Sequence, residues 1–259
     1  MPVMWNRKHR RHRPHAKSKT RLQRRMRTAV ALFGLTMGAV AGAHAQTVVR
    51  KSLDSATVAA LDARWKESLD AFAAFDKAHA PTQGGVVFVG SSSIRLWDDL
   101  EDQFGDQGTT IVKRGFGGSR LSDCARYVTQ LVLPYKPSKV VVYAGDNDLA
   151  EGATPEDVAE SFKELAAHIH AALPAAKIVY VSIKPSPLRE TLMPAAIQAN
   201  EKIEALTRTD ARFAFVDVYS RMLDAKGNPR LELFLPDRLH LNAEGYAIWR
   251  TAIAAGLKG

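Results

Sequence analysis

An α/β fold built on a parallel sheet is predicted by the alternation of two kinds of segment along this sequence. Five short runs rich in β-branched residues are each followed by a longer segment with helical periodicity. The runs are apolar on both faces, which is typical of parallel strands covered by helices on each side. Five such strands suit a three-layer α/β/α sandwich of the flavodoxin-like type. A composition of 46% hydrophobic and 24% charged residues excludes a disordered or fibrous chain.

The predicted elements follow one another in a regular order. Residues 55–79 carry apolar side chains at helical spacing and predict an amphipathic helix packed on the domain. The segment Thr154-Pro155-Glu156-Asp157 combines a cap, an early proline and early negative charge, which marks the start of a later helix. The strands are expected at Val86–Val89, Thr110–Val112, Lys139–Tyr143, Ile178–Ser182 and Phe213–Val218.

Basic residues are concentrated at the N-terminus. Of the 36 Lys and Arg residues, eleven lie in residues 1–45, which contain no Asp or Glu; the other 25 stand against 27 acidic residues, a net of −2. A basic stretch ending at Arg27, an apolar run from Thr28 to about Gly42 and the small residues Ala43-His44-Ala45 are the three parts of a secretory signal. We expect cleavage after Ala45 and a periplasmic or secreted protein. Stable membrane insertion is not expected, because about fifteen apolar residues are too few to span a bilayer.

The same segment has two alternative interpretations. The basic run could be a nucleic-acid-binding tail, and translation could begin at Met26. The signal interpretation is favoured because the apolar run and the small residues follow directly. Removal of residues 1–45 removes the excess positive charge, so no nucleic-acid partner is expected. The predicted organisation is a signal peptide at 1–45, a segment with the amphipathic helix at 46–83 and the main domain at 84–259.

The cysteine and histidine content argues against disulfides and metal sites. Cys124 is the only cysteine, which excludes an intramolecular disulfide even in an oxidising compartment. One cysteine is too few for a zinc cluster, and His168 and His170, two apart on a predicted helix, point in different directions. No metal or other cofactor is expected.

Candidate functional residues lie where the strands end, since ligands of such sheets bind beyond the carboxyl ends of the strands. Ser92 follows Gly90 at a strand-to-helix turn, a geometry that suits an exposed nucleophile. Each motif alone is also an ordinary turn or cap, but their order and placement together favour a serine hydrolase. The four distinctive segments are VVFVGSSSIRLW (86–97), RGFGGS (114–119), YAGDND (143–148) and PDRLHLNAEGY (236–246).

A catalytic triad can be assembled from these segments. A serine hydroxyl needs a base, and His240 is the best candidate because Asp237 lies three residues before it, on the same face of a helical turn. Asp237 would orient the imidazole, which would take the proton of Ser92. The oxyanion formed by attack on an ester would be stabilised by the backbone N–H groups of Ser92 and Gly118 and by the side-chain amide of Asn147.

These residues resemble the blocks of the SGNH or GDSL-like hydrolase superfamily of serine esterases and acylhydrolases, which includes enzymes similar to platelet-activating-factor acetylhydrolase. Gly90-Ser91-Ser92 is similar to the nucleophile block, Gly118 to the glycine block, Gly145-Asp146-Asn147-Asp148 to the G-x-N-D block and Asp237-Arg238-Leu239-His240 to the D-x-x-H block. The resemblance covers about residues 84–256. One departure is Ser91, where many members have Asp, which puts a secondary hydrogen-bonding role in doubt.

Residues for substrate recognition are less clearly marked. The segment Ile183–Pro194 combines prolines with Leu188, Arg189 and Met193, which are candidates for one wall of the substrate site. A proline-stiffened connection is the equal alternative. Trp97 is expected in the core rather than on a substrate platform.

The function expected is an exported serine esterase that cleaves short, acetyl-type esters through an acyl-enzyme, with O-acetyl groups on carbohydrate as one substrate class that the resemblance implies. Two alternatives remain: a lysophospholipase or thioesterase acting on longer acyl chains, and a non-catalytic glycan-binding protein of the same fold. The expected partner is a small-molecule or glycan ester.

Overall fold

Five parallel strands form one sheet in the part of the chain that the computed structural model describes, residues 54–80, 82–105 and 109–258. These residues belong to one compact unit, Leu53–Gly259. The expected signal peptide at 1–45 lies outside the described residues. The strands are β1 (Val86–Gly90), β2 (Ile111–Gly115), β3 (Lys139–Tyr143), β4 (Lys177–Val181) and β5 (Phe213–Val216).

The strand order is β2-β1-β3-β4-β5, which is the order of a flavodoxin-like sheet and confirms the predicted fold class. The chain changes direction across the sheet between β1 and β3, and ligands bind at such a switch point. Gly90 at the end of β1 lies in register with Gly115 of β2 and Tyr143 of β3. The loops that leave these three strands therefore start at the same edge of the sheet.

Helices cover both faces of the sheet and complete the three layers. One core cluster packs α1, α4, α5, α7 and α8 against one face, and a second cluster packs α2, α3 and α9 against the other. The helices are α1 (Ser55–Ala78), α2 (Ser92–Arg95), α3 (Leu100–Phe104), α4 (Leu121–Arg126), α5 (Val128–Leu131), α6 (Asp146–Ala150), α7 (Pro155–Ala172), α8 (Met193–Thr207) and α9 (Ala243–Gly256).

Alternate side chains of β1 show how one strand serves both cores. Val87 and Val89 point into the first cluster, whereas Phe88 points into the second. A strand with both faces buried must be apolar throughout, which is the pattern the sequence carries. Trp97 is fully buried in the second cluster, where its ring stacks on Tyr246 at a centroid distance of 4.8 Å. The expectation that Trp97 belongs to the core is confirmed.

Helix α1 occupies the predicted residues within one position, but its apolar face is not buried along its whole length. Asp54 caps the helix by accepting from the Thr57 amide at 2.8 Å, and Trp65 is buried against Phe116. Phe75, in the last turn, is 56% exposed. This turn lies beside the edge strand β2, where Phe75 and Ile111 line an open groove.

Strand β2 extends further than the apolar pattern predicts. The apolar pattern predicts an end at Val112, but the strand continues to Gly115, because the charged Arg114 is buried there with its partners. The Arg114 guanidinium donates to Asp76 of α1 and to the Tyr135 hydroxyl. A charged residue can occupy a buried strand position when its donors are satisfied in this way.

None of the helices in the described ranges is long and apolar enough to cross a lipid bilayer.

Candidate active site

Ser92 lies immediately beyond β1, as the first residue of the short helix α2. The turn depends on Gly90, whose φ of +148° is rare for residues with a side chain. A Cβ at this position would lie 1.8 Å from the Tyr143 carbonyl oxygen, so no larger residue fits. The ladder continues past the strand, since the Ser91 N–H donates to Tyr143 O at 3.0 Å. Ser92 is therefore held by the two central strands and is half-buried at the sheet edge.

His240 and Asp237 approach Ser92 from the C-terminal part of the chain. His240 Nε2 lies 3.0 Å from Ser92 Oγ, and His240 Nδ1 lies 2.5 Å from Asp237 Oδ2. This order of contacts, hydroxyl to imidazole to carboxylate, is the arrangement that activates a serine. The structure thus brings together the three residues that the sequence identifies as a triad.

The predicted helical turn for Asp237 and His240 is wrong. The two residues lie in an irregular turn before α9, and Arg238 between them has a left-handed φ of 59°. Asp237 Oδ1 accepts from the backbone N–H groups of Leu239 at 3.0 Å and His240 at 2.9 Å. By accepting from two backbone N–H groups the carboxylate stabilises this turn, as aspartate does in other non-helical turns.

The Asp237 carboxylate is held in its ionised form. Partial burial raises its pKa, but the N–H groups of His240 and Leu239 and the His240 ring lower it more, and the pKa falls to about 2. Hydrogen bonds donated to the charged form favour that form. Asp237 therefore remains negative near neutral pH and can stabilise an imidazolium at His240.

The glycine loop after β2 supplies a backbone donor. Gly118 has a φ of +80°, which glycine adopts without strain. Within residues 54–80, 82–105 and 109–258, neither the Gly118 N–H nor the Ser92 N–H donates to a protein acceptor. Both amides are thus free to bind a negatively charged oxygen beside Ser92.

The Asn147 side chain lies in the first turn of α6, directly after β3, and is buried. Its Nδ2 donates to the Ser119 carbonyl at 3.0 Å, which leaves the second hydrogen of the amide without a protein partner among the described residues. Asn147 is therefore anchored to the glycine loop, and one donor remains for the predicted oxyanion role.

Arg189 is the one substrate-wall candidate that reaches the triad region. Its Nη2 donates to Asn147 Oδ1 at 2.9 Å and its Nη1 pairs with Asp146 Oδ2 at 3.2 Å. Leu188 is 60% exposed, and Met193 packs partly against the core. A role of these residues in substrate binding stays a prediction.

Two contributions to the site were not predicted from the sequence. Arg64 of α1 lies with Nη2 3.4 Å from Gly118 O, and the neighbouring Trp65 packs on Phe116, so α1 supports the glycine loop. Lys184, which follows β4, is buried and pairs with Asp146 at 3.2 Å. The position of Lys184 at a strand end was the only signal that could have identified it.

The departure at Ser91 leaves a polar atom without a partner. Ser91 is completely buried, and its hydroxyl has no hydrogen-bond partner in the part of the chain that the structure describes. Among those residues, no group of three or more His, Cys, Asp or Glu side chains is arranged to hold a metal ion.

Comparison with known proteins shows the family of the chain. The model of the GDSL-like lipase/acylhydrolase family matches residues 82–248, more than half of the chain. No curated protein sequence matches significantly.

Solved structures share the fold at low identity. A protein of Streptococcus pneumonia named a platelet activating factor is 19% identical with a TM-score of 0.65, covering 78% of this chain and 99% of its own. A GDSL-like lipase from Bacteroides thetaiotaomicron is 22% identical with a TM-score of 0.62, covering 73% and 97%. An acetylxylan esterase from Geobacillus stearothermophilus is 13% identical with a TM-score of 0.57, covering 68% and 95%. At these identities the likeness shows the fold alone.

Proposed function

The chain belongs to the GDSL-like lipase/acylhydrolase family and is a serine carboxylic ester hydrolase, and from this premise we propose that it removes short, acetyl-type acyl groups from carbohydrate outside the cytoplasm. The observation that carries the proposal is the openness of the triad: the Asp237 side chain is 46% exposed and that of His240 is 23% exposed. A triad at the surface leaves room for a bulky polar alcohol, such as a sugar, while the acyl group it accepts is small.

The reaction proceeds through an acyl-enzyme. His240 Nε2 takes the proton from Ser92 Oγ as this oxygen attacks the ester carbonyl carbon. The negative charge that develops on the carbonyl oxygen is stabilised by the N–H groups of Ser92 and Gly118 and by the Asn147 amide. The intermediate collapses as His240 returns the proton to the leaving alcohol oxygen. Water then attacks the acyl-enzyme with His240 again as the base, which releases the carboxylic acid and restores Ser92.

The acyl-length preference follows from what the site offers to an alkyl chain. Each buried methylene contributes about 0.8 kcal/mol, or roughly a fourfold gain in kcat/KM, so a deep acyl groove would make activity climb with chain length. An exposed triad does not provide that burial. The fold that the chain shares with an acetylxylan esterase agrees with a carbohydrate ester but does not specify one.

A series of p-nitrophenyl esters from acetate to octanoate tests the proposal. We expect kcat/KM to be highest at two to four acyl carbons and to decline beyond six, and acetate to be released from O-acetylated oligosaccharides. Ser92→Ala provides the background rate for each substrate. A maximum at eight or more carbons would contradict the short-chain assignment.

One observation favours hydrolysis of longer acyl chains as a second candidate function. Leu188 and Leu235 are 60% and 41% exposed, and their N–H groups donate to the Arg238 and His240 carbonyls at 3.0 and 2.8 Å. Two exposed leucines thus lie beside the triad turn. If they hold an acyl chain, Leu188→Ser and Leu235→Ser should reduce octanoate hydrolysis selectively. Ile197→Ser, at a leucine-sized exposed position on α8, is the matched control.

Export is the second part of the proposal and rests on the sequence pattern of residues 1–45. After expression in a bacterial host, the periplasmic protein should begin at Gln46 or an adjacent residue. N-terminal sequencing of fractionated cells measures this. Active protein found in the cytoplasm with Met1 or Met26 as its first residue would overturn it.

A further inference from the structure

The side-chain amide of Asn147 is held at both ends. Nδ2 donates to the Ser119 carbonyl at 3.0 Å, and Oδ1 accepts from Arg189 Nη2 at 2.9 Å. The amide plane is therefore fixed, and the direction of the second Nδ2 hydrogen is fixed with it. An amide that rotated by half a turn would place Oδ1 beside the Ser119 carbonyl and its own NH₂ group beside the guanidinium, and both contacts would be repulsive.

The Arg189 guanidinium also contacts the buried carboxylate of Asp146. Its Nη1 pairs with Asp146 Oδ2 at 3.2 Å, and the same carboxylate pairs with Lys184 Nζ at 3.2 Å. Lys184 also donates to the Tyr143 hydroxyl at 3.0 Å. Burial raises the pKa of Asp146, but the two cations lower it more, so that this carboxyl is ionised. The ion pair with this buried carboxylate keeps the guanidinium beside α6, and Nη2 is the nitrogen that donates to Asn147.

The backbone at Arg189 is kinked, and the kink helps to place its side chain. Arg189 lies in the short helical segment Pro187–Leu192 but has non-helical angles, with φ of −115°. The kink lets adjacent residues serve opposite sides of the site: the Leu188 N–H donates to the Arg238 carbonyl at 3.0 Å, whereas the Arg189 side chain reaches Asn147. The segment Pro187–Leu192 thus connects the turn that carries the triad to the oxyanion amide.

We propose that Arg189 is a positioning residue for catalysis, which orients and polarises the Asn147 amide so that its free N–H donates to the oxyanion. The positive charge at Oδ1 withdraws electron density from the amide and makes Nδ2 a stronger donor, since hydrogen bonds in series polarise one another. The gain is largest in the transition state, where the acceptor carries its full charge. The inference rests on the proposed acyl-enzyme mechanism.

Direct binding of substrate by Arg189 is the competing role, and the contacts argue against it. Nη2 donates to Asn147, whereas Nη1 is buried beside Asp146, with which it forms an ion pair but no hydrogen bond, and it has no other hydrogen-bond partner among the described residues; the side chain is only 20% exposed. A substrate carboxylate or hydroxyl would have to displace one of these partners. The two roles differ in what they do to kcat and KM.

A double-mutant cycle between Arg189 and Asn147 tests the proposal, with hydrolysis of the best p-nitrophenyl ester as the readout. Arg189→Met keeps the length of the side chain and removes its charge and donors. We expect it to lower kcat by roughly 10- to 100-fold with KM changed less than about twofold. In the Asn147→Ala background the same change should cost nothing further, because no amide remains to be positioned. Arg189→Lys, which keeps the charge without the two-pronged geometry, should recover part of kcat.

The control is Arg208→Met, which removes an exposed arginine paired with Glu204 on α8 and should leave both constants unchanged. Full, additive loss in the Asn147→Ala background, or a rise in KM with kcat preserved, would overturn the proposal. Thermal unfolding shows whether each variant is folded, and Arg189→Lys takes the place of Arg189→Met in the cycle if the latter is not.

Ester hydrolysis and fluorophosphonate labelling of the wild-type protein distinguish failure of this inference from failure of the proposed function. If it neither hydrolyses esters nor reacts with a fluorophosphonate at Ser92, the proposed function fails. If it does either, only the cycle decides the role of Arg189, and the rate of fluorophosphonate labelling provides a second readout. Phosphonylation also develops negative charge in the oxyanion site, so the labelling rate should show the same non-additivity.

Discussion

Ser92 Oγ and His240 Nε2 lie 3.0 Å apart although 148 positions separate the two residues in the chain. Ser92 is positioned by the end of β1, and His240 by a turn that Asp237 organises. The serine and its base therefore come from opposite ends of the domain and meet at one edge of the sheet.

Ser92 should be the residue that becomes acylated. Ser92→Ala and His240→Ala should each reduce ester hydrolysis to near background, and the double variant should be no worse, since nucleophile and base act as a unit. A fluorophosphonate probe followed by peptide mass spectrometry should label Ser92. Ser91→Ala, which removes a buried hydroxyl, is the control and should keep the label. Labelling that persists in Ser92→Ala would refute the assignment.

Asp237→Asn should reduce kcat by roughly 10³- to 10⁴-fold, because the imidazole loses its orienting carboxylate. The pKa of Asp237 is lowered to about 2, so this group keeps its charge through the whole range in which the enzyme is assayed. Protonation of Asp237 should therefore contribute nothing to the acid limb of the wild-type kcat/KM profile. Steady-state kinetics across the pH range measure this limb. An inflection that is present in the wild type and absent in Asp237→Asn would contradict the prediction.

Asn147→Ala should lower kcat by roughly 10²- to 10³-fold with a much smaller effect on KM, which is the signature of a lost oxyanion donor. Steady-state kinetics on a short p-nitrophenyl ester measure both constants. Asn228→Ala, in an exposed turn, is the matched control. A change in KM alone would assign Asn147 to substrate binding instead.

Asp148 should make the folded state less stable as pH rises. Burial raises its pKa from the ordinary value of 3.8 to about 7, against the opposing effect of the Leu121 N–H. Between these values the folded protein keeps a proton that the unfolded chain has lost, so the free energy of unfolding falls with increasing pH, and it levels off above about 7. Urea denaturation at several pH values should show a smaller decline in Asp148→Asn than in the wild type. Equal declines would show that Asp148 is ionised in the folded protein throughout.

The sequence by itself was enough to predict the sheet and the position of the site. Apolar runs mark β1 and β3 because both faces of these strands are buried, and Gly90 marks the turn because no side chain fits against Tyr143. Since parallel strands end at one edge, motifs that follow separate strands must converge. Ser92, Asn147 and His240 could thus be brought together without a structure.

Local patterns failed where a residue's environment comes from a distant part of the chain. Arg114 is charged, so the apolar pattern does not include it in β2, yet it is buried because Asp76 of α1 neutralises it. Asp237 and His240 suggest a helical turn by spacing, but the side chain of Asp237 takes the backbone donors and shapes a different turn.

Only the tertiary structure decided the contacts of Arg189. Its sequence context is compatible with substrate binding, with a position at the surface and with a buried ion pair. The role of a guanidinium depends on which hydrogen-bond acceptors lie near it. Those acceptors are Asp146 and Asn147 on α6, and Asn147 lies 42 positions before Arg189 in the chain. They contact Arg189 because α6 packs against the segment that follows β4. Periodicity and turn chemistry are encoded within a few residues and can be predicted locally, whereas the partner of a long polar side chain depends on how all the elements pack together.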